Sequence, residues 1–411
     1  MNFRILVVLF SVLFVSYANA VPVKQLYRAE IKLPVEESEA KMLNQAFSQA
    51  VEQVLVRVSG DKAAISGSLL QEARSRASTW VAQHSVVSLN QLLPVDGQLV
   101  AGNQVNVVFY SESIDQFLSQ HNLPVWGRDR PSVLIWAASE ENGVRRLSGG
   151  SAPSQLLNDL ASSAAMLGVP IYAPLIDTVD KKAISAADVW GFFEGNIRQA
   201  SRRYQTDAIA AMRVTNYSGN VTGSLLVLLS DGSSQRFTLS GENVSALADQ
   251  ASADMAKVFS TRYAAVRNNQ AESRFLIQVS GISSYAALNR VQTYLERVGV
   301  VRDAAIASAK GDTVTFSIAI NGSKQKLINS ISLNSVLQQV APPKPALVVT
   351  NTEATDSTEV PVGEASAPAV AVVSDDNGDD TRSPEVAVVP NDSGDDSRPL
   401  VVEYFKYNGV Q

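Results

Sequence analysis

The stretch Leu-Pro-Val-Trp-Gly-Arg-Asp-Arg-Pro-Ser-Val-Leu-Ile-Trp-Ala-Ala, residues 123–138, decides how this chain divides into domains. Pro124, Gly127 and Pro131 interrupt regular structure in its first half. Every residue from 133 to 137 is apolar, a pattern that predicts a strand buried on both faces of its sheet. Because one αβ pattern precedes the stretch and another follows it, we predict that the first domain gives way to the second at this point.

The residues ahead of this stretch predict an N-terminal αβ domain over residues 21–125, with the element order β-α-α-β-β-α. Polar and apolar residues alternate over 24–33, which indicates a half-buried strand. Residues 36–58 carry apolar side chains at three- and four-residue spacing and end at Gly60, as expected of a helix. The remaining elements are a helix over 68–83, a hairpin with strands at 86–93 and 99–110 around Asp96-Gly97, and a helix over 114–120.

A middle αβ domain is predicted over residues 126–267. Strands and helices alternate in its first half, so right-handed crossovers should place the first three strands parallel. A closing hairpin across Asp231-Gly232 makes the predicted sheet mixed. The predicted strands lie at 132–138, 169–173, 207–214, 224–229 and 235–239, and the predicted helices lie at 152–167, 186–203 and 245–263.

A third domain follows the polar segment 268–272 and spans residues 273–341. Its predicted elements have βαββαβ order, which is typical of a ferredoxin-like fold. The fold-class prediction is therefore an α+β / α/β chain of three small αβ domains. The predicted strands of the third domain lie at 275–279, 300–307, 313–320 and 336–340, and its helices lie at 285–298 and 324–330.

The last segment, residues 342–411, differs from the rest of the chain in composition. It holds 13 acidic and 4 basic side chains and is rich in Pro, Thr, Val and Asp, without helical periodicity. Residues 371–380 recur, with substitutions, as residues 387–396. These features predict a disordered acidic tail. Its end, residues 400–407, is more apolar and aromatic, which suggests a short docking peptide.

The composition argues against several classes of site. The chain has no Cys and two His, so disulfides, thiolate metal sites, Cys nucleophiles and His-rich metal sites are not expected. We predict no catalytic motif, no metal site and no cofactor. Outside the acidic tail, 30 basic residues face 27 acidic ones. This small excess does not favour a nucleic-acid partner.

Residues 1–20 have the pattern of a cleavable export signal. Arg4 precedes an apolar run over residues 5–15, and Ala18-Asn19-Ala20 matches an A-x-A cleavage site. The apolar run is too short to span a membrane. We therefore expect a periplasmic mature protein that begins at Val21 and has no stable membrane insertion. An uncleaved anchor is the alternative interpretation.

Four further segments stand out along the chain. They are, in sequence order, residues 49–60 (QAVEQVLVRVSG), Trp126-Gly127 with Arg130-Pro131, residues 168–175 (GVPIYAPL) and residues 200–208 (ASRRYQTDA). Together they resemble the family of exported bacterial proteins named domain of unknown function 2066. The resemblance covers residues 24–340. It implies a location in the envelope of Gram-negative bacteria and no assigned activity.

The first candidate site pairs Asp177 with Asp180. Both carboxylates follow the predicted strand 169–173, and ligands of open αβ sheets usually bind beyond the carboxyl ends of parallel strands. Such a pair can hold a divalent cation or divide acid and base roles. The alternative interpretation is that both residues cap a turn and face water.

The second candidate site is a charged cluster expected at the amino edge of the middle sheet. Its side chains would bind a carboxylate or phosphate group of an envelope polymer. The alternative is a buried Arg–Asp network that holds the domain junction together. The cluster consists of Arg128, Asp129, Arg130, Arg202, Arg203 and Tyr204.

The hypothesis that the sequence favours is a non-enzymatic periplasmic protein that binds or assembles another component of the bacterial envelope. It rests on the export signal, the lack of a catalytic motif and the aromatic end of the tail. One alternative is a periplasmic hydrolase or metal-dependent enzyme that uses Asp177 and Asp180. The other is a cell-wall polymer binder that uses Arg130 and residues 202–204. The expected partner is an envelope protein or a cell-wall component.

Overall fold

The structure is a computed structural model that describes residues 21–23, 25–35, 38–217, 220–267, 273–333, 336–342 and 402–409. It confirms the predicted mixed α+β fold class, with the sheets in separate groups. The predicted export signal and residues 343–401 of the predicted acidic tail lie outside the described residues. Within the described ranges, no helix is long and apolar enough to cross a lipid bilayer.

The N-terminal domain follows the predicted order of elements, with the additional strand β1 and with two strands in place of each predicted hairpin strand. Its elements are β1 (Val21–Pro22), β2 (Arg28–Pro34), α1 (Glu39–Ser59), α2 (Gly67–Trp80), β3 (Val81–Ser88), β4 (Leu93–Val95), β5 (Gln98–Val100), β6 (Gly102–Phe109) and α3 (Ser111–Gln120). The sheet β2-β6-β3 is antiparallel and shares one apolar core with the three helices. Asp96 and Gly97 both have positive φ and close the hairpin β4-β5, as predicted.

The middle domain and its flanking connectors follow. Their elements are β7 (Pro124–Val125), β8 (Asp129–Arg130), β9 (Val133–Glu141), β10 (Val144–Ser148), α4 (Gln155–Met166), β11 (Ile171–Tyr172), α5 (Thr178–Ala183), α6 (Ala186–Trp190), α7 (Glu194–Ser201), β12 (Ala208–Tyr217), β13 (Asn220–Leu228), β14 (Ser234–Gly241), α8 (Val244–Tyr263) and β15 (Ala265–Val266). Strand β9 runs parallel to both β11 and β12, which confirms the predicted parallel arrangement of the first three strands. The antiparallel hairpin β13-β14 makes the sheet mixed.

Helices cover both faces of the middle sheet. Val133 and Ile135 of β9 pack into one apolar core with α4 and α8, whereas Leu134 and Trp136 pack into a second core with α6 and α7. Each residue from 133 to 138 is therefore fully buried. This double burial is the physical reason for the uninterrupted apolar run.

Two predicted helices of the first and middle domains need correction. The helix predicted over 68–83 ends at Trp80, because Val81 already pairs with Phe109 as the start of β3. The helix predicted over 186–203 is divided into α6 and α7, and Phe192 between them has a left-handed φ of 54°. A non-glycine residue in that conformation cannot continue a right-handed helix.

The C-terminal domain contains the predicted βαββαβ order. Its elements are β16 (Ser273–Ser280), α9 (Tyr285–Arg297), β17 (Val301–Lys310), β18 (Thr313–Ile320), α10 (Lys324–Ile331) and β19 (Leu337–Gln339), and a further strand, β20 (Val402–Tyr407), comes from the end of the chain. The sheet has the order β17-β18-β16-β20-β19. Strand β20 thus lies inside the sheet rather than beside it.

This arrangement corrects the predicted extent of the disordered tail at residues 402–407. These residues form a strand because two of their aromatic side chains, Phe405 and Tyr407, are buried in the core of the C-terminal domain. The suggested docking peptide therefore docks on its own chain.

The two connectors between domains lie side by side. The first connector, residues 124–132, contains β7 and β8, and the second, residues 264–267, contains β15. Val125 of the first pairs antiparallel with Ala265 of the second. This pairing brings both ends of the middle domain to one place, where the N-terminal and C-terminal domains also meet.

Candidate functional site

A cleft of about 870 Å³ opens between the N-terminal and C-terminal domains, along the two connectors. We call it the interdomain cleft. Concave sites between domains are common places for ligands to bind. Its charged and phenolic side chains come from both domains and both connectors, namely Tyr27, Glu112, Asp115, Arg128, Asp129, Arg267 and Arg297.

Two glycines allow the close approach that forms one wall of the cleft. Gly127 of the first connector packs directly on Gly299, which follows α9. A Cβ at Gly299 would lie 2.9 Å from the Cα of Gly127, and a Cβ at Gly127 would lie 3.0 Å from the Cα of Gly299. Such separations force backbone to move, so a larger residue at either position would part the connector from the C-terminal domain.

Asp115 is the centre of a hydrogen-bond network at one end of the cleft. The Tyr27 hydroxyl donates to its Oδ1 over 2.8 Å, and the Arg267 guanidinium donates to its Oδ2 over 2.7 Å. Burial raises the pKa of Asp115, and these two donors partly offset that effect. Burial and the neighbouring carboxylate also raise the pKa of Tyr27. Tyr27 therefore remains a protonated donor at neutral pH.

Arg128 and Arg297 also line the cleft, and both are exposed. Among the described residues, neither group has a hydrogen-bond or ion-pair partner. Asp129 lies within electrostatic range of both guanidinium groups. Burial raises the pKa of Asp129, and the two arginines partly offset that effect. Two guanidinium groups without partners in one cleft can bind a carboxylate or a phosphate group, which match their planar array of donors.

Arg130, a residue of the predicted charged cluster, lies on the other side of the same connector. It is fully buried, and its guanidinium stacks 3.8 Å from the ring centroid of Trp126. Burial lowers the pKa of Arg130, and the nearby charge of Arg57 lowers it further. Arg130 is not accessible to a ligand in this position.

All five N–H groups of the Arg130 guanidinium donate to backbone carbonyl oxygens. Nε donates to Gly127 over 3.0 Å, one terminal nitrogen to Leu167 and Gly168 over 3.1 and 3.3 Å, and the other to Arg57 and Trp126 over 2.9 and 3.1 Å. The acceptors belong to the end of α1, the first connector and the loop after α4. Arg130 therefore joins the N-terminal and middle domains.

Arg57 strengthens the same junction. It is buried, and its Nε donates to the carbonyl oxygen of Met166 over 2.8 Å. Another of its nitrogens donates to the carbonyl oxygens of Gln25 and Arg28. The sequence-based alternative of a buried network at the domain junction thus fits Arg130, but its acceptors are carbonyl groups rather than Asp side chains.

The structure brings the predicted pair Asp177 and Asp180 together with Arg203 and Tyr204. Arg203 donates to Asp177 over 2.8 and 3.0 Å and to Asp180 over 3.0 Å, and the Tyr204 hydroxyl donates to Asp180 over 2.5 Å. Asp180 is 1% exposed and also accepts from the backbone N–H of Ile176. These four residues form one internal network, which the sequence had divided between two candidate sites.

The protonation of this network fits a structural role. Asp177 caps the N-terminus of α5 by accepting from the backbone N–H groups of Val179 and Asp180. Arg203 and these bonds lower the pKa of Asp177 to about 2. Burial and Asp180 raise the pKa of Tyr204 to about 12. Asp177 is thus ionised and Tyr204 neutral across the physiological range.

Arg202 does not join the network. It is exposed in a short 3₁₀ turn after α7. Among the described residues, no group of three or more His, Asp or Glu side chains is placed to hold a metal ion. A ligand-binding role for Asp177, Asp180, Arg202, Arg203 and Tyr204 stays a prediction.

Sequence reasoning did not single out Tyr27, Asp115, Arg267 or Arg297. Tyr27 and Asp115 are 88 positions apart, and Asp115 and Arg267 are 152 apart. No motif or local spacing links residues at such separations. The one usable signal was the position of Arg128 and Asp129 at a domain boundary, where ligand sites are frequent.

Comparison with known proteins corrects the family assignment. Residues 20–127 match the family model of a domain of unknown function, DUF8605. The resemblance to domain of unknown function 2066 is therefore wrong. The matched region contains the N-terminal domain and ends at Gly127 on the wall of the interdomain cleft. Neither the curated proteins nor the solved structures include a match to this chain.

Proposed function

We propose that this protein is an exported, non-enzymatic binding protein of the bacterial envelope that holds an anionic group of another envelope component in the interdomain cleft. One observation carries the proposal. Among the described residues, Arg128 of the first connector and Arg297 of the C-terminal domain present guanidinium groups without partners to the same cleft. Exposed, unpaired arginines in a concave site are suited to a carboxylate or phosphate group.

The neighbouring residues support recognition rather than catalysis. Both oxygens of Asp115 accept hydrogen bonds, from Tyr27 and from Arg267, so this carboxylate positions two side chains instead of serving as a free base. The described residues that line the cleft include no Cys, His or Lys. The two serines of the cleft, Ser111 and Ser119, have no hydrogen bond to a side-chain base among the described residues, so a nucleophile activated by an adjacent base is not part of the proposal.

The position of the cleft suggests what binding would do. Its walls belong to the N-terminal domain, the C-terminal domain and both connectors. A ligand that contacts Arg128 and Arg297 at once would bridge two domains and stabilise one arrangement of them by mass action. This effect is suited to an assembly factor that recognises its partner in one defined geometry. The envelope location rests on the export pattern in residues 1–20.

The first test is isothermal titration calorimetry of the mature chain with two probes, inorganic phosphate and a tetraglutamate peptide. We expect both probes to bind, and the double variant Arg128→Gln, Arg297→Gln to weaken binding at least tenfold because both guanidinium groups are lost. The matched control is Arg146→Gln, Arg236→Gln, which removes the same charge from exposed positions outside the cleft. This control should bind as the unmodified chain does.

Two results would contradict the proposal. If neither probe binds to the unmodified chain, the cleft is not an anion site. If the control pair weakens binding as much as the cleft pair, the anions respond to net charge and not to the cleft. In cells, a photo-crosslinking residue at Gln116, which lines the cleft, should capture a partner that the Arg128→Gln, Arg297→Gln chain no longer captures.

A further inference from the structure

The last strand, β20, is inserted between two strands that belong to the body of the C-terminal domain. It pairs parallel with β16 over five residues, from Leu276↔Val402 to Ser280↔Lys406. It pairs antiparallel with β19 over three residues, from Leu337↔Tyr407 to Gln339↔Phe405. Its backbone therefore completes hydrogen-bond ladders on both sides.

Side chains add sequence specificity to these ladders. Phe405 is 1% exposed and Tyr407 is 7% exposed, and both belong to the apolar core of the C-terminal domain. Glu403, on the same strand, forms an ion pair with Lys324 and accepts from Nε2 of Gln339 over 3.1 Å. The space between β16 and β19, which we call the strand slot, thus selects an extended segment with acidic and aromatic residues at alternating positions.

The strand slot can be compared with the regular form of the same sheet. Because β19 is antiparallel to β20 and β20 is parallel to β16, β19 runs antiparallel to β16. The first and last strands of a βαββαβ sheet have this same relation when they are direct neighbours. Strand β20 is therefore an insertion, and its removal would leave unpaired backbone groups along β16 and β19 as long as the two strands stay as far apart as they are here.

The connection to β20 is far longer than the pairing requires. Residues 340–401 separate β19 from β20, a connection of 62 residues. A turn of about two to five residues is enough to join adjacent antiparallel strands. A fully extended connection of this length spans at most roughly 200 Å. The advantage of pairing within one chain falls as such a connection lengthens.

We propose that the strand slot is an exchangeable binding site that accepts residues 402–407 of a second copy of this chain. The second copy is the occupant because its strand makes the same ladders, the same Phe405 and Tyr407 contacts and the same ion pair as the chain's own strand. Reciprocal exchange gives a closed dimer in which each copy completes the sheet of the other. The exchange involves no loss of contacts, only a change in connectivity.

Disulfide trapping in the full mature chain tests this proposal, since the natural sequence has no Cys. Gln338 and Lys406 are exposed partners across β19 and β20. Single variants Gln338→Cys and Lys406→Cys are mixed in equal amounts, unfolded in urea, refolded together at high protein concentration and oxidised. We expect a disulfide-linked heterodimer, and its yield should rise with protein concentration.

The matched control replaces Gln338→Cys with Ser85→Cys, an exposed position on β3 that is not a partner of β20. The mixture of Gln338→Cys and Lys406→Cys should give at least ten times the yield of disulfide-linked heterodimer that this control gives. A second variant, Phe405→Asp in the Lys406→Cys chain, should abolish the excess because a charge cannot enter the core at that position.

The double variant Gln338→Cys, Lys406→Cys, refolded at high dilution, should form a disulfide within one chain. A heterodimer yield no higher than the Ser85→Cys control would overturn the exchange proposal. Absence of the internal disulfide in the dilute double variant would overturn it as well, because β20 would then not occupy the strand slot in either connectivity.

Discussion

Arg128 and Arg130 lie two residues apart on the first connector, yet they occupy opposite kinds of environment. Arg130 is fully buried, and every N–H group of its guanidinium donates to a backbone carbonyl. Arg128 is exposed in the interdomain cleft, where no described residue pairs with it. The difference teaches that residue type does not define a binding site. What matters is whether the fold has already satisfied the donors.

The largest effect should come from replacing the buried residue of this pair, Arg130. Arg130→Met removes five hydrogen bonds to carbonyl groups at the junction of two domains and should lower the free energy of unfolding by about 3–5 kcal/mol. Urea titration measures the loss. The control is Arg128→Met, which should change the free energy of unfolding by no more than about 0.5 kcal/mol. Equal effects of the two substitutions would show that Arg130 does not join the domains.

The second effect concerns the contact that holds the cleft wall in place. Gly299→Ala puts a Cβ 2.9 Å from the Cα of Gly127 and should cost about 1–3 kcal/mol as backbone moves apart. The control is Gly195→Ala in helix α7, where a Cβ would meet no atom of the described residues within 4 Å. Because alanine favours a helix over glycine, the control should be neutral or stabilising by about 0.5–1 kcal/mol. A neutral Gly299→Ala would argue against the close contact.

The third effect concerns anion binding beside Arg128 in the interdomain cleft. Asp129 lies beside Arg128 and Arg297, and burial raises its pKa. In its ionised form Asp129 opposes an incoming anion, so Asp129→Asn should increase the affinity for sulfate roughly fivefold, which corresponds to about 1 kcal/mol. Sulfate keeps its charge over the range used, unlike phosphate.

The pH dependence has a definite sign. As pH falls through the raised pKa of Asp129, its carboxylate is protonated and sulfate should bind more tightly to the unmodified chain. The Asp129→Asn chain should show the tight affinity at every pH. Calorimetric titration at pH 7 and pH 4 measures both. A pH dependence that persists in Asp129→Asn would assign it to another group.

The smallest effect belongs to an exposed carboxylate outside the cleft. The pKa of Asp177 is lowered to about 2, chiefly by its hydrogen bond from Arg203. Its contribution to stability is therefore present above the unfolded value near 4 and is lost as pH falls towards 2. Asp177→Asn should lower the thermal midpoint slightly at pH 7 and not at pH 2. An unchanged midpoint at pH 7 would remove Asp177 as a stabilising cap.

The sequence was a good guide to the elements wherever the pattern is local. The apolar run of residues 133–137 predicted a strand covered on both faces, and the Asp96-Gly97 turn predicted a hairpin. Both depend on spacing within a few residues. The division of residues 186–203 into two helices was missed, although Gly191, the C-cap of α6, is a residue type that commonly ends helices.

The candidate sites were less predictable because the residues that form them are far apart in the chain. Asp177 and Asp180 were recognised, but their partner Arg203 was assigned to another cluster because it is 23 positions beyond Asp180. The aromatic end of the tail was recognised as a docking segment, whereas its place between β16 and β19 depends on a slot formed by distant strands.

By itself, the sequence determined the mixed α+β fold class, most of the order of elements, the parallel strands of the middle sheet and the acidic character of the tail. Alternation, helical spacing, turn residues and charge are properties of neighbouring residues, so they can be read without a structure. Only the tertiary structure decided that Arg130 is enclosed and Arg128 is open, and that β20 enters its own domain. Those outcomes depend on which backbone carbonyls and strand edges come together from segments far apart in the chain, and local pattern carries no information about that.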